Sequence, residues 1–105
     1  MEYSEIIDKA VLIQDTDPSR RLGIIGIYAS TQWTSVERSY AKPFNPLLGE
    51  TYELINDNFE FLSEQVSHHP PITANYCKGK KTDYVLWSNQ KTNTLISSKG
   101  MEFNQ

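Results

Sequence analysis

The segment EQVSHHPPITANY, residues 64–76, sets two adjacent histidines against two adjacent prolines, in a part of the chain that otherwise has the composition of β-strands. Pro70 and Pro71 carry no backbone N–H, and Pro70 moves His69 out of the helical region into an extended conformation. Strand pairing should therefore stop or swerve here. Beyond the prolines, apolar and polar residues alternate over 72–77, which predicts a strand with two distinct faces.

Strand-length runs rich in aromatic and β-branched residues surround this segment. They cover residues 51–55, 58–66, 72–77, 84–89 and 94–99. Three stretches at the ends of these runs, 56–58, 78–81 and 89–91, carry residues that tolerate tight hairpin geometry. The pattern predicts an antiparallel β-meander over residues 51–100.

Helical patterns precede the strands. Ser4 is placed to cap a first helix with one apolar face, and Asp17 with Pro18 predicts the start of a second helix, in which Leu22, Ile25 and Tyr28 are available for burial. We expect a helical lead-in over about 4–40. Residues 41–50 contain two prolines and a glycine and predict a fixed irregular loop. The expected fold class is α+β, as a single domain over 1–105.

The composition excludes several classes of protein. A net charge of −3 and a pI near 5.3 argue against nucleic-acid binding, which normally rests on a field of lysines and arginines. Cys77 is the one cysteine, so no internal disulfide can form and a reducing compartment is expected. The longest apolar run, 22–29, is far shorter than the ~20 residues of a membrane-spanning helix. The start of the chain lacks a signal-peptide pattern. The sequence predicts a cytoplasmic protein.

The histidine pair admits several chemical interpretations. The plainest is two surface histidines in a polar turn. A zinc site would need further ligands, and Glu64 and Cys77 match no recognised metal spacing. Ser67 precedes His68 without the surroundings of a nucleophilic serine, so no enzyme activity and no cofactor are expected. Phosphate binding suits the residues better, because imidazole donates hydrogen bonds and Lys42 would add a positive charge.

Three blocks of sequence resemble the oxysterol-binding protein family. The eight residues EQVSHHPP, 64–71, read as that family's fingerprint. Arg38 followed by KPFNPLLGETYE, 42–53, is similar to its second characteristic block, in the expected order. EYS at 2–4, DKA at 8–10 and Asp17-Pro18 are similar to its helical lead-in. The resemblance covers nearly the whole chain.

The resemblance implies a lipid transfer or sensing domain, in which helices precede a large antiparallel, nearly closed barrel whose tunnel holds one lipid. It implies binding of phosphatidylinositol 4-phosphate, often exchanged for a sterol or phosphatidylserine, during transient peripheral contact with membranes. His68 and His69 would hold the inositol-ring phosphate, Lys42 would contact the headgroup, and the backbone of Leu47 and Leu48 would seat it. The supporting residues of the two blocks are Arg38, Asn45, Glu50, Glu64, Ser67, Pro70 and Pro71.

Because the family's barrel continues well beyond 105 residues, the resemblance implies the first part of an incomplete barrel for this chain. Such a sheet has an open edge, which predicts self-association. A headgroup surface without lipid transport is one expectation, and a truncated regulatory or interaction protein that has lost transport is the alternative. A phosphoesterase using the histidine pair is disfavoured, because no nucleophile or metal site accompanies it. Lys78, Lys80 and Lys81 form a basic turn that would meet an anionic leaflet or simply solvate the turn.

Overall fold

The computed structural model describes residues 3–13, 16–38, 40–41, 43–91, 93–97 and 100–104, with the backbone alone at positions 35, 93–97 and 100–104. Two α-helices and a 3₁₀ helix come first, and strands follow. The elements are α1 (Ser4–Ile13), α2 (Pro18–Ser30), the 3₁₀ helix (Thr31–Arg38), β1 (Thr51–Ile55), β2 (Phe59–His68), β3 (Pro71–Gly79), β4 (Val85–Lys91), β5 (Asn93–Ser97) and β6 (Gly100–Asn104).

The first four strands form one antiparallel sheet in the order β1-β2-β3-β4. This meander after two helices confirms the predicted α+β class. The strand predicted over 94–99 corresponds to β5, but β5 does not continue the meander. It pairs with β6, a strand that was not predicted, in a second sheet in which Ser97 pairs with Gly100. β6 begins at Gly100, where the predicted meander ended.

The core lies where α1 packs on one face of the sheet. Ile7, Phe59, Cys77 and Tyr84 are buried together, because inward positions of β2 and β3 meet the apolar side of α1. The Thr82 hydroxyl donates a hydrogen bond to an Asp8 carboxylate oxygen. This bond ties α1 to the connection between β3 and β4, so the helix and the sheet form one packed unit.

The second helix begins as predicted but presents a different face to the core. The Arg20 backbone N–H donates to Asp17 Oδ1 over 3.0 Å, which confirms Asp17 as the N-cap before Pro18. The predicted burial of Leu22 and Ile25 is wrong, since they are 70% and 46% exposed. Tyr28 does pack against the core, and the half-buried face of α2 runs through Arg21, Ile24 and Tyr28, whereas Leu22 and Ile25 lie beside it.

Candidate functional site

The turn between β2 and β3 brings the two histidines side by side. His68 ends β2 and pairs with Pro71 at the start of β3, so His69 and Pro70 alone form the turn. The His69–Pro70 peptide bond is cis. The two imidazole ring centroids are 4.5 Å apart with an angle of 58° between the ring planes, and both side chains are exposed. One compact corner of the sheet therefore presents two imidazoles to solvent.

A β-bulge just before the turn changes the face on which His68 lies. Pairing passes from Gln65–Thr73 to Ser67–Ile72, so Val66 is an extra residue in β2. Because side chains alternate along a strand, this shift moves His68 to the sheet face of Gln65 and Thr73, the face that carries the core. Strand pairing was expected to stop or swerve near the prolines. The pairing changes register at the bulge and continues to His68, the last residue before the turn.

Gln65 holds the bulge in place. Its side chain is 2% exposed; Nε2 donates to the Ser67 carbonyl over 3.0 Å, and Oε1 accepts from the Thr73 hydroxyl over 2.6 Å. Its backbone also accepts from Gly49 N–H over 2.8 Å and donates to the Glu50 carbonyl over 3.0 Å. One residue thus joins the loop before β1, the bulge and β3. The sequence analysis did not single out Gln65, although a polar residue at an inward position of a strand was a usable signal.

Replacing Gln65 with leucine should destabilise the fold by about 2–3 kcal/mol. The change leaves the half-buried Ser67 carbonyl and Thr73 hydroxyl without the partner that Gln65 supplies. Urea unfolding measures the effect. Glu64→Leu is the matched control, because Glu64 is the exposed neighbour on the same strand and should change stability by at most about 0.5 kcal/mol. Equal midpoints for the two variants would contradict this role of Gln65.

The loop before β1 ends in a tight turn over residues 47–50. The Glu50 N–H donates to the Leu47 carbonyl over 2.9 Å, and the Leu47 N–H donates to Glu50 Oε2 over 2.7 Å. Gly49 has a φ of 78°, in the left-handed region that the third position of a type II turn requires. The backbone N–H and carbonyl of Leu47 are therefore used inside the turn. The hydrogen bonds of Gly49 and Glu50 with Gln65 hold this turn beside the end of β2 that leads to the histidines.

Lys91 lies at the same end of the sheet as the histidines, a position that the sequence analysis missed. It ends β4 and pairs with Ile72, one residue beyond the His68–Pro71 pair, and its side chain is exposed. With strands about 4.8 Å apart, the backbones of His68 and Lys91 are separated by roughly 10 Å. Only the register between β3 and β4 reveals this proximity, and it places Lys91 on the sheet face of Ile72, opposite to the face of His68.

The basic turn at Lys78, Lys80 and Lys81 lies at the opposite end of the sheet. Phe59, the first residue of β2, pairs with Gly79, so the length of β2 separates this turn from the histidines by roughly 30 Å. Lys80 Nζ also lies 3.5 Å from a Glu60 carboxylate oxygen. These lysines therefore do not belong to the histidine corner.

The other predicted site residues fall into three groups. Arg38 ends the 3₁₀ helix and lines a cavity with Asn56 and Asn58, at the β1–β2 turn and away from the histidines. Lys42 lies outside the described residues. The rest lie on the 43–50 loop, on β2 or at the histidine turn, and are Asn45, Leu47, Leu48, Glu50, Glu64, Ser67, Pro70 and Pro71.

An open cavity of about 440 Å³ lies between the helices and the sheet. Its lining includes Tyr28 and Gln32 from the helices and Phe61, Cys77 and Leu86 from the sheet. Burial raises the pKa of the Cys77 thiol, and burial followed by the proximity of Cys77 raises the pKa of Tyr28. A thiol held in its protonated form is a weak nucleophile. Across the described ranges there is no cluster of three metal-ligating side chains and no helix long and apolar enough to span a membrane.

The family model for oxysterol-binding protein matches residues 1–105. The chain belongs to the oxysterol-binding protein family. Human oxysterol-binding protein-related protein 6 is 44% identical over 105 residues, which are 97% of this chain and 11% of that protein. Oxysterol-binding protein-related protein 3C of Arabidopsis thaliana is 41% identical over 99 residues, covering 93% of this chain and 21% of that protein. This chain thus spans about a tenth to a fifth of the length of these two relatives, which are named as binding proteins.

Solved structures from the oxysterol-binding protein family share the fold. The Osh1 ORD domain in complex with ergosterol superposes with a TM-score of 0.79 at 31% identity, over 97% of this chain and 24% of that chain. The same domain in complex with cholesterol gives 0.73 at 32% identity, over 89% and 22%. The helices and open antiparallel sheet therefore correspond to about a quarter of an Osh1 ORD domain, which confirms the predicted likeness to part of a larger fold.

Proposed function

We propose that this chain is a lipid-binding segment of oxysterol-binding-protein type whose β2–β3 turn recognises the phosphate of phosphatidylinositol 4-phosphate. The observation that carries the proposal is the pair of exposed imidazoles, His68 and His69, with ring centroids 4.5 Å apart at one corner of the sheet. A phosphate group accepts several hydrogen bonds at once, and two neighbouring imidazoles supply donors from two directions.

Two lysines are proposed to add positive charge near the histidines. Lys91 is at the same end of the sheet, on the face opposite to His68, and supplies an exposed cation. Lys42 is proposed as a second cation, on the resemblance that its sequence block carries. Leu48 is proposed to seat the headgroup through its backbone, next to a turn in which the Leu47 N–H is already bonded to Glu50. The surface works during transient, peripheral contact with a membrane.

A sterol is the proposed apolar ligand of the complete fold, with phosphatidylserine as the alternative. Support comes from the Osh1 ORD structures that hold ergosterol and cholesterol. We propose that residues 1–105 act as one partial domain, in which helices and sheet form one wall of the lipid site. The edges of the described four-stranded sheet, β1 and β4, are open. They are proposed to pair with further strands, including those of a second copy.

Vesicle binding tests this function directly. Phosphatidylcholine vesicles carrying phosphatidylinositol 4-phosphate are compared with vesicles carrying phosphatidylinositol. Lipid extraction and the oligomeric state of the protein are measured in the same samples. Selective binding to the phosphorylated lipid is expected. Binding without extraction identifies a headgroup reader that lacks transport. Equal binding to both vesicles overturns the proposal and favours the regulatory or interaction protein.

Lys91→Ala should weaken binding to phosphatidylinositol 4-phosphate by up to about fivefold, since an exposed cation at the same end of the sheet attracts the phosphates and contributes at most about 1 kcal/mol. Lys81→Ala is the matched control. It removes an exposed lysine at the opposite end of the sheet and should leave the affinity for the phosphorylated lipid unchanged. Titration of both variants with short-chain phosphatidylinositol 4-phosphate measures the difference. A larger loss of affinity for Lys81→Ala than for Lys91→Ala would contradict the proposal, because the headgroup would then bind at the end of the sheet opposite to the histidines.

A further inference from the structure

The loop before β1 exposes large apolar side chains that no part of the described fold covers. Phe44 is 101% exposed, Leu47 is 74% exposed and Leu48 is 66% exposed. No charged residue occurs from Pro43 to Gly49. Single exposed apolar residues are ordinary on protein surfaces, but three within five residues of a neutral loop form a concentrated apolar tip.

The chain holds this tip in a fixed position. Pro43 and Pro46 restrict the backbone on either side of Phe44 and Asn45. The Leu47–Glu50 turn is closed by two hydrogen bonds of its own, and Gly49 N–H is bonded to the Gln65 carbonyl over 2.8 Å. The backbone of the Leu47–Glu50 turn is therefore held against β2, and the two prolines limit the conformations open to Phe44 and Asn45.

The tip and the histidine turn lie at the same end of the sheet. Gly49 and Glu50 bond to Gln65, and the histidines follow Gln65 after the bulge. Phe44 is three residues before Leu47, so the backbone between them spans at most about 11 Å. Apolar side chains and phosphate-binding donors consequently share one end of the molecule.

A lipid bilayer offers this combination of chemistry. Phosphate groups lie in its interfacial layer, and acyl chains begin a few ångströms below them. A purely apolar protein groove would match the tip and leave the two exposed imidazoles unexplained. The charge pattern thus favours a phospholipid surface over a second protein as the occupant.

We propose that Phe44, flanked by Leu47 and Leu48, enters the acyl-chain boundary of a phosphoinositide-containing bilayer while the histidine turn stays at the level of the phosphates. This inference rests on the proposed function and extends it from recognition of a headgroup to docking on the membrane that contains it. The tip determines how the corner approaches the lipid, and the imidazoles determine which lipid it selects.

Phe44→Ser tests the inference, because a fully exposed side chain can be removed without loss of packing. Binding to phosphatidylcholine vesicles containing phosphatidylinositol 4-phosphate should weaken about five- to tenfold, the effect of withdrawing part of a phenyl ring from an apolar phase. Affinity for water-soluble, short-chain phosphatidylinositol 4-phosphate should remain that of the wild type. Leu12→Ser is the control, since Leu12 is 71% exposed on α1, and it should bind vesicles as the wild type does.

The two probes separate failure of the inference from failure of the proposed function. Unchanged vesicle binding by Phe44→Ser, with normal affinity for the short-chain lipid, overturns the membrane tip and leaves headgroup recognition standing. Wild-type protein that binds neither probe overturns both. A Phe44→Trp variant gives an independent readout. Its added fluorescence should be quenched by vesicles made with brominated acyl chains, and the absence of that quenching would contradict insertion.

Discussion

Replacing both His68 and His69 with alanine is expected to weaken binding to phosphatidylinositol 4-phosphate vesicles by about a hundredfold. Hydrogen bonds to a charged group contribute about 1.5–3 kcal/mol each, and the two imidazoles supply at least one donor apiece. Both side chains are exposed in a turn, so their removal leaves no buried cavity and no orphaned partner in the core. The free energy of unfolding should therefore change little, and the lost affinity reports on the headgroup alone.

The asparagine double variant, His68→Asn with His69→Asn, is the matched control for donor chemistry. An amide side chain keeps hydrogen-bond donors without the imidazole ring, so part of the affinity should return. The losses of affinity in the two single alanine variants should not sum to the loss in the double variant, because the rings are in contact with centroids 4.5 Å apart. Undiminished binding by the double alanine variant in the presence of folded protein would remove the histidines from the site.

The sequence predicted the elements well because their signals are local. Asp17 and Pro18 start α2 through one cap bond and a missing N–H, and both effects depend only on neighbouring residues. The alternation after the prolines likewise identified β3, whose faces are set by the pleat of a single strand. Family resemblance then supplied what no local rule contains, namely that helices and strands belong to a larger lipid-binding fold.

The site was predicted less completely, because its geometry depends on pairing between distant segments. Lys91 lies at the histidine end of the sheet only through the β3–β4 register, and Arg38 lies away from that end because of the position of the 3₁₀ helix. The bulge at Val66 shifts the face of every residue that follows it in β2. No spacing rule in the sequence contains these facts. The buried amide of Gln65, which stabilises the bulge, was visible only as an unusual polar residue in an inward position.

The largest effect on stability is expected for Gly79→Ala, at about 3 kcal/mol. A Cβ at Gly79 would lie 2.5 Å from Tyr84 Cδ1 and 2.7 Å from the Thr82 carbonyl oxygen. Tyr84 is 8% exposed and belongs to the core, so its ring cannot move aside without opening the packing that includes Cys77. Burial, with smaller contributions from Cys77, Asp8 and Tyr28, raises the pKa of Tyr84 to about 12, as expected for a phenol enclosed by protein. Overpacking of such a site costs about 1–3 kcal/mol.

Two measurements separate this clash from a general effect of adding a methyl group. Gly23→Ala is the control, because an added Cβ there meets nothing within 4 Å and should stabilise α2 by up to about 1 kcal/mol. Urea midpoints should therefore move in opposite directions for the two variants. The reactivity of Cys77 reports on the same packing, since its thiol is 2% exposed and burial raises its pKa, so a thiol reagent reaches it only when the core opens. Faster labelling of Cys77 in Gly79→Ala than in Gly23→Ala is expected, and equal rates would mean that the Tyr84 ring yields to the methyl group without disturbing the core.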